Sequence, residues 1–198
     1  MVAKLIAECI DAGATAVIAV TGVWALIYAH RQLNQAHEDE KVRHLVEFNK
    51  EFDCEPMASY RRVVAEKRLK GISFPPEASK ILDFFETIGL LVSRGYLDEN
   101  DVWSTFSYWM FNVYADFRDD IEQMQRDDGN YYNEFCELVQ SLREIEKQEG
   151  SSDDRPSKDE ILDFWKDEAQ TIAGSPIKKR KSTHKSLKNK KVVSETTN

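Results

Sequence analysis

The chain contains little cysteine, glycine or proline. Its 198 residues include three cysteines, eight glycines and five prolines. The scattered cysteines, none of them in a C-x-x-C pair, exclude a disulfide framework. So few glycines and prolines exclude collagen-like or elastic repeats. A hydrophobic share of 41% excludes a wholly disordered chain, and a net charge of −8 argues against a uniformly nucleic-acid-binding surface.

The short motifs of common enzyme classes are also absent. The sequence has no H-E-x-x-H, no Gly-rich phosphate loop, no nucleophile elbow and no clustered Cys/His set. Glu86 lies in the most apolar helical segment, where we expect a buried or half-buried ion pair with Arg94, Arg118 or Arg126. We therefore predict a protein that is not an enzyme, with no catalytic residues, no cofactor, no metal site and no small-molecule ligand.

The strongest physical signal is an uncharged run near the N-terminus. Between Asp11 and His30 lie 18 consecutive uncharged residues, with Trp24 and Tyr28 near one end. At 1.5 Å per residue a helix of this length spans about 27 Å, close to the thickness of a bilayer core. We predict a transmembrane anchor over residues 1–29. A soluble core helix and a cleaved signal peptide are the alternatives.

The charges that flank this run predict its orientation. Lys4 is the only basic side chain before it, whereas Arg31, Lys41, Arg43 and Lys50 follow it. The positive-inside rule therefore places the short N-terminus outside and the rest of the chain in the cytoplasm of a bacterium, at the inner membrane. Three unpaired cysteines fit a reducing cytoplasm.

A stripe of mostly small residues, the seam, repeats at alternating intervals of three and four. Small residues let helix backbones approach closely within lipid, so we expect a homo-oligomer that forms through the N-terminal helix. An Ala-rich segment also produces such stripes by chance, and that alternative stays open. The seam comprises Ala12, Thr15, Ala19, Gly22, Leu26, Ala29, Leu33 and Ala36.

The remaining body has helical periodicity throughout and no period-two strand pattern. Asp98 is a predicted N-cap, and Gly71 and Gly95 are predicted helix ends. Val102–Ala115, the uncharged centre of the helix that follows Asp98, is too short to span a membrane, so we predict a buried core helix there. The fold class is therefore all-α: a transmembrane helix that continues into a cytoplasmic helical bundle over residues 30–149. A linker and a short helix, with Ile161, Leu162, Trp165 and Ile172 as its apolar residues, follow over residues 150–173.

Residues 174–198 form a basic tail that we predict to be disordered. It has few large apolar residues and carries one acid, Glu195, against eight basic side chains. We expect it to be a solubilising tail, a tether for anionic lipid or RNA, or a nuclear-localisation signal, in decreasing order of preference. Its basic residues are Lys178, Lys179, Arg180, Lys181, Lys185, Lys188, Lys190 and Lys191.

Arg31 and His37 have an R-x5-H spacing that resembles the Arg/His motif of the HEPN ribonuclease superfamily. That resemblance implies a helical domain that dimerises to cleave RNA. With the number of Arg and His residues in this chain, about one such match is expected by chance. The pair is therefore our least favoured functional candidate.

The residues over 81–121 resemble a bacterial family that is catalogued only as a domain of unknown function. The matching positions are Phe85-Glu86, Gly95, Leu97-Asp98, Trp109 and the RQL-like Arg31-Gln32-Leu33. The resemblance covers about residues 10–145 and implies one N-terminal membrane helix, a juxtamembrane helix and a cytoplasmic helical domain. It implies no established activity or cofactor, and the helix near 161–172 and the basic tail are additions to it.

The function that we favour from sequence is a non-enzymatic, single-pass membrane protein with a cytoplasmic helical interaction or sensing module. An alternative is an oligomeric, pore-forming membrane effector of a prokaryotic defence system. A membrane-tethered HEPN-like ribonuclease is a third hypothesis.

Overall fold

The computed structural model describes residue 24 and residues 28–32, 38–150 and 155–170. Most of these residues are helical. These residues contain no β-strand, so the all-α prediction is confirmed for them. The chain divides into two units, Met1–Glu47 and Phe48–Asn198.

The described part of the first unit comprises Trp24 and residues 28–32 and 38–47, all of them helical. Trp24 and Tyr28 are exposed. The predicted anchor over residues 1–29 lies almost wholly outside the described residues. Among the residues that are described, no helix combines the length and apolar character needed to cross a bilayer.

The second unit contains six helical segments in the described residues. Residues 48–53 form α1, followed by α2 (Met57–Leu69), α3 (Ala78–Ser93), α4 (Glu99–Asp127), α5 (Asn133–Gln148) and α6 (Lys158–Ala169). Two predicted helix ends are confirmed, because Gly71 and Gly95 have φ angles of +82° and +76°. The predicted N-cap is also confirmed, since the Asp98 carboxylate accepts hydrogen bonds from the backbone of Asn100 and Asp101.

Aromatic rings form the centre of this unit. The Phe52 ring of α1 stacks on Phe84 at 5.3 Å and meets Phe106 edge-on at 5.6 Å. Phe85 stacks on Phe135 of α5 at 5.5 Å. Because each such pair adds about 0.5–1.5 kcal/mol beyond the burial of its area, these contacts hold α1, α3, α4 and α5 in one core. The central part of α4 is buried, as predicted.

The last helix, α6, belongs to the same core. Phe164 and Trp165 are buried, whereas Leu162 is exposed. The helix packs against α2 and α4. This is the short helix that Ile161, Leu162 and Trp165 indicate, and Ile172 lies outside the described residues. Phe164 and Glu168 join Trp165 in its buried face.

Candidate interaction site

Helix α6 packs against α2 and α4, and two of its aromatic side chains contact rings of α4. The Phe164 ring lies 5.6 Å from that of Tyr108, and the Trp165 ring lies 5.9 Å from that of Phe117, both edge-on. Tyr108 and Phe117 lie on α4. The surface formed by α2 and α4 under α6 is called the α6 groove below.

A buried charged cluster lies at the end of this groove. Glu168 of α6 is 5% exposed, and its Oε1 accepts a 3.0 Å hydrogen bond from the indole Nε1 of Trp109. Its Oε2 lies 3.5 Å from Nε of Arg61, which is 3% exposed. Asp53 approaches the other side of Arg61 at 3.8 Å, and the Phe52 ring lies 4.1 Å from the guanidinium carbon. The cluster joins α1, α2, α4 and α6.

The pairing in this cluster is incomplete. Within the described part of the chain, Arg61 Nε and Nη1 and Glu168 Oε2 have no hydrogen-bond partner. The two Arg61–carboxylate distances exceed the 2.7–2.9 Å that is usual for a charge-assisted hydrogen bond. Burial raises the pKa values of Glu168 and Asp53, against the opposing effect of Arg61. Because buried ion pairs often fail to recover the cost of desolvation, we expect this cluster to orient α6 more than to tighten its docking.

A second polar contact in the groove is well formed. Arg68 of α2 donates two hydrogen bonds to the Asp116 carboxylate, at 2.7 Å and 2.6 Å. The indole Nε1 of Trp165 donates a third hydrogen bond to Asp116, at 2.7 Å. Because the bidentate Arg–Asp pair fixes the carboxylate, it offers a preformed acceptor for the Trp165 indole. Trp165 is thus held by its ring and by its polar edge.

Glu86 has a different role from the one predicted. Its carboxylate accepts hydrogen bonds from the backbone N–H groups of Phe135 at 2.7 Å and Glu134 at 3.4 Å, at the start of α5. The residue at the N-cap, Tyr132, has a φ of 54° and makes no side-chain cap. The predicted pairing of Glu86 with an arginine was therefore wrong, since this carboxylate satisfies backbone donors that would otherwise have no partner. Burial raises the pKa of Glu86, and these hydrogen bonds oppose that effect.

The site residues predicted from sequence fall mostly outside the described residues. Arg31 is helical and exposed, but His37 is not described, so their relation stays a prediction. Ala29 is the only described member of the seam, and it is exposed. The basic residues of the tail also lie beyond the described residues. Among those that are described, no three His, Cys, Asp or Glu side chains form a metal-binding group.

Comparison with protein families gives a match that covers most of the chain. The profile of the family described as "Domain of unknown function (DUF4760)" matches residues 15–142. The chain belongs to this family. No curated protein and no solved structure matches the chain.

The family region includes α1 to α4 and most of α5, and it ends before α6. The α6 groove is thus formed by family residues, whereas its occupant comes from beyond them. This division agrees with the expectation that the helix near 161–172 is an addition to the family domain.

The residues that hold α6 were not predicted from the sequence. Arg61, Trp109 and Asp116 come from two helices far apart in sequence, and Glu168 comes from a third. A charged residue on an amphipathic helix is usually solvated, so no local pattern distinguishes these from surface charges. The available signal was the Phe164-Trp165-x-x-Glu168 spacing, which places all three side chains on one side of a helix.

Proposed function

We propose that this chain is a single-pass membrane protein whose helical unit acts, without catalysis, as a cytoplasmic interaction or sensing module. The observation that carries the membrane part is the run of 18 uncharged residues between Asp11 and His30. Its length matches a bilayer core, and the basic residues that follow it favour a cytoplasmic C-terminal side at a bacterial inner membrane. Exposed Trp24 and Tyr28 suit the interface between lipid and water.

The interaction part is supported by the occupied α6 groove. An amphipathic helix that places aromatic anchors in a groove is a recurring mode of protein recognition. Here α6 supplies two aromatic rings and the Glu168 carboxylate. The groove supplies the Arg68–Asp116 pair, which accepts a hydrogen bond from α6, and the buried indole of Trp109, which donates one to Glu168. A module that recognises helices through this groove is the function that the site supports best.

Membrane attachment is tested by alkaline carbonate extraction of membranes from bacterial cells that express the full chain. We expect the full chain to stay in the pellet and a variant that starts at His30 to be extracted. Val20→Asp places a charge near the centre of the run, at a cost of about 2.5–3.5 kcal/mol, and should shift the chain toward the extract. The matched Val20→Leu should behave as the unsubstituted chain does. Extraction of the full chain would contradict the anchor.

Self-association through the seam has a separate test. Light scattering of the full chain in mild detergent should give a defined oligomer, and the variant that starts at His30 should give a monomer. Gly22→Leu introduces bulk into the seam and should dissociate the oligomer, whereas Gly13→Leu introduces the same bulk next to the seam. A monomeric full chain would remove self-association from the proposal and leave the anchor standing.

A further inference from the structure

A cleft of about 240 Å³ lies between α4, α5 and the segment that leads into α6. Three arginines line it: Arg118 from α4, Arg143 from α5, and Arg155, which precedes α6. Asp119 is the one acid among the lining residues, and Tyr114 adds a hydroxyl group. Three arginines among the lining residues of one cleft are unexpected in a chain whose net charge is −8.

We propose that this cleft binds inorganic phosphate or a small phosphate monoester through Arg118, Arg143 and Arg155. The inference goes beyond the proposed membrane anchor and the α6 groove, and it depends on neither. It also differs from the sequence-based expectation that the chain has no small-molecule ligand.

The charge of the lining favours a doubly charged anion. Once a ligand has replaced Glu122 as the partner of Arg118, three arginines and one aspartate leave an excess of two positive charges among the lining residues. A phosphate monoester carries about −1.5 to −2 charges near neutral pH, whereas a carboxylate or a phosphodiester carries about one. Guanidinium groups also match the oxygen geometry of phosphate through paired hydrogen bonds.

Two of the arginines are positioned in ways that suit such a ligand. The guanidinium carbon of Arg143 lies 5.5 Å from the Tyr114 ring and 5.8 Å from the Phe111 ring, so cation–π contacts hold its plane. Arg155 is exposed and, among the described residues, has no hydrogen bond or ion pair. Its side chain can therefore turn to a ligand without breaking a contact that the structure describes.

Arg118 has a carboxylate partner that a phosphate would have to outcompete. Nε of Arg118 lies 2.8 Å from Glu122, but both side chains are well exposed. Exposed pairs of this kind contribute about 0–1 kcal/mol, so phosphate can replace the carboxylate at little cost. The hydroxyl group of Tyr114, like that of an ordinary tyrosine, is protonated at neutral pH and can donate a hydrogen bond.

The size of the cleft limits the ligand. Pockets for drug-sized molecules are usually about 300–1,000 Å³, so a cleft of 240 Å³ suits phosphate with a small substituent. Because Arg155 and Pro156 immediately precede α6, a ligand held here would also fasten the segment that enters this helix.

The test is isothermal titration calorimetry of the full chain in mild detergent, at constant ionic strength. We expect saturable binding of inorganic phosphate at one site. Dimethyl phosphate, a monoanionic diester that mimics a lipid headgroup, should bind at least tenfold more weakly. Equal binding of the two probes would overturn the assignment to a phosphate monoester.

Variants separate the cleft from other basic residues. Arg155→Gln should weaken phosphate binding about tenfold or more, because it removes a charge-assisted contact from an exposed side chain that the fold does not need. Arg94→Gln, at the exposed end of α3, is the matched control and should leave binding unchanged. Arg143→Gln should also weaken binding.

The basic tail is the competing site in this experiment. A variant in which Lys178, Lys179, Arg180 and Lys181 are replaced by Gln should bind phosphate as the unsubstituted chain does. If binding is lost in that tail variant and kept in Arg155→Gln, the cleft is not the site. The absence of saturable phosphate binding in the unsubstituted chain would also overturn the proposal.

Discussion

The approach of α3 to the start of α5 makes Gly89→Ala a sharp test of the fold. A Cβ atom at Gly89 would lie 2.4 Å from the carbonyl oxygen of Glu134 and 3.0 Å from the backbone nitrogen of Phe135. Both are backbone atoms, so no side chain can rotate away to make room. The two helices must therefore separate, and the same movement lengthens the 2.7 Å hydrogen bond from Phe135 to Glu86.

The expected magnitude combines three terms. Overpacking of a tight contact costs about 1–3 kcal/mol. Weakening a hydrogen bond to a charged group costs up to about 1.5–3 kcal/mol, and less here because Glu86 is only half-buried. Alanine recovers about 1 kcal/mol through its higher helix propensity. With the hydrogen-bond term reduced to about 1–2 kcal/mol, we expect Gly89→Ala to lower the free energy of unfolding by about 1–4 kcal/mol.

Urea unfolding of the full chain in mild detergent, followed by circular dichroism, measures this change. Gly129→Ala is the matched control, because its Cβ would meet no atom within 4 Å and its φ lies outside the left-handed region. A second measurement combines Gly89→Ala with Glu86→Ala. Since both act on the start of α5, their effects should fall short of additivity by about 1 kcal/mol. A Gly89→Ala cost as small as that of the control, or full additivity, would refute the reasoning.

Three further predictions concern buried polar groups. Glu168→Ala leaves the Trp109 indole without its hydrogen-bond acceptor, so it should lower the free energy of unfolding by about 2–4 kcal/mol. Amide hydrogen exchange in α6 should become faster, and unchanged exchange there would contradict the docking contact. Burial raises the pKa of Cys136 to about 11, so less of its reactive thiolate is present at pH 8. Iodoacetamide should therefore alkylate this thiol about 100-fold more slowly in the folded protein than in urea, and similar rates would contradict its burial. Burial raises the pKa of Glu86 above its ordinary value of 4.5, so the folded protein is less stable with this carboxyl ionised than with it protonated. As the pH falls from 7 toward 4.5, Glu86 takes up a proton in the folded protein and this loss of stability is reversed. Relative to Glu86→Gln, the natural protein should therefore gain stability over this window in urea titrations, and a constant difference would contradict the sign.

The helices of the second unit were predictable because their signals are local. Asp98 at an N-cap and the glycines at positions 71 and 95 act on backbone groups within a few residues. The apolar period of α4 likewise lies in one stretch of chain and identifies its buried side. These features depend on neighbours in sequence, so they can be inferred before the tertiary structure is known.

The polar contacts could not be predicted in the same way, because they join distant segments. Glu86 was expected to pair with an arginine, because a carboxylate in an apolar helical segment usually needs an opposite charge. Its actual partners are backbone N–H groups 48 and 49 positions further along the chain. No period or motif in the sequence reports that α5 begins beside α3, so the capping role of this carboxylate appears only in the folded structure.

The contacts of α6 suggest that this helix can be exchanged for another. The rings of Phe52, Phe84, Phe85 and Phe106 form a core without α6, so we expect a variant that ends at Gly150 to fold. Removal of α6 exposes Trp109 and Phe117, but it also returns the incompletely paired Arg61 guanidinium to water, which reduces the net cost.

A peptide of residues 155–170, added to that shortened variant, should therefore bind in trans. Its affinity should be modest, because an isolated helix of this length is marginal and must be ordered on binding. Fluorescence anisotropy of the labelled peptide measures the interaction. Trp165→Ala in the peptide removes the ring contact with Phe117 and the hydrogen bond to Asp116, so the affinity should fall at least tenfold. Leu162→Ala, at an exposed position, is the control and should have little effect on the affinity. Two outcomes for a folded shortened protein would contradict recognition of helices: no binding of the unsubstituted peptide, or equal binding of that peptide and of its Trp165→Ala variant. In either case the α6 groove is a packing surface of this chain and not a recognition site for helices.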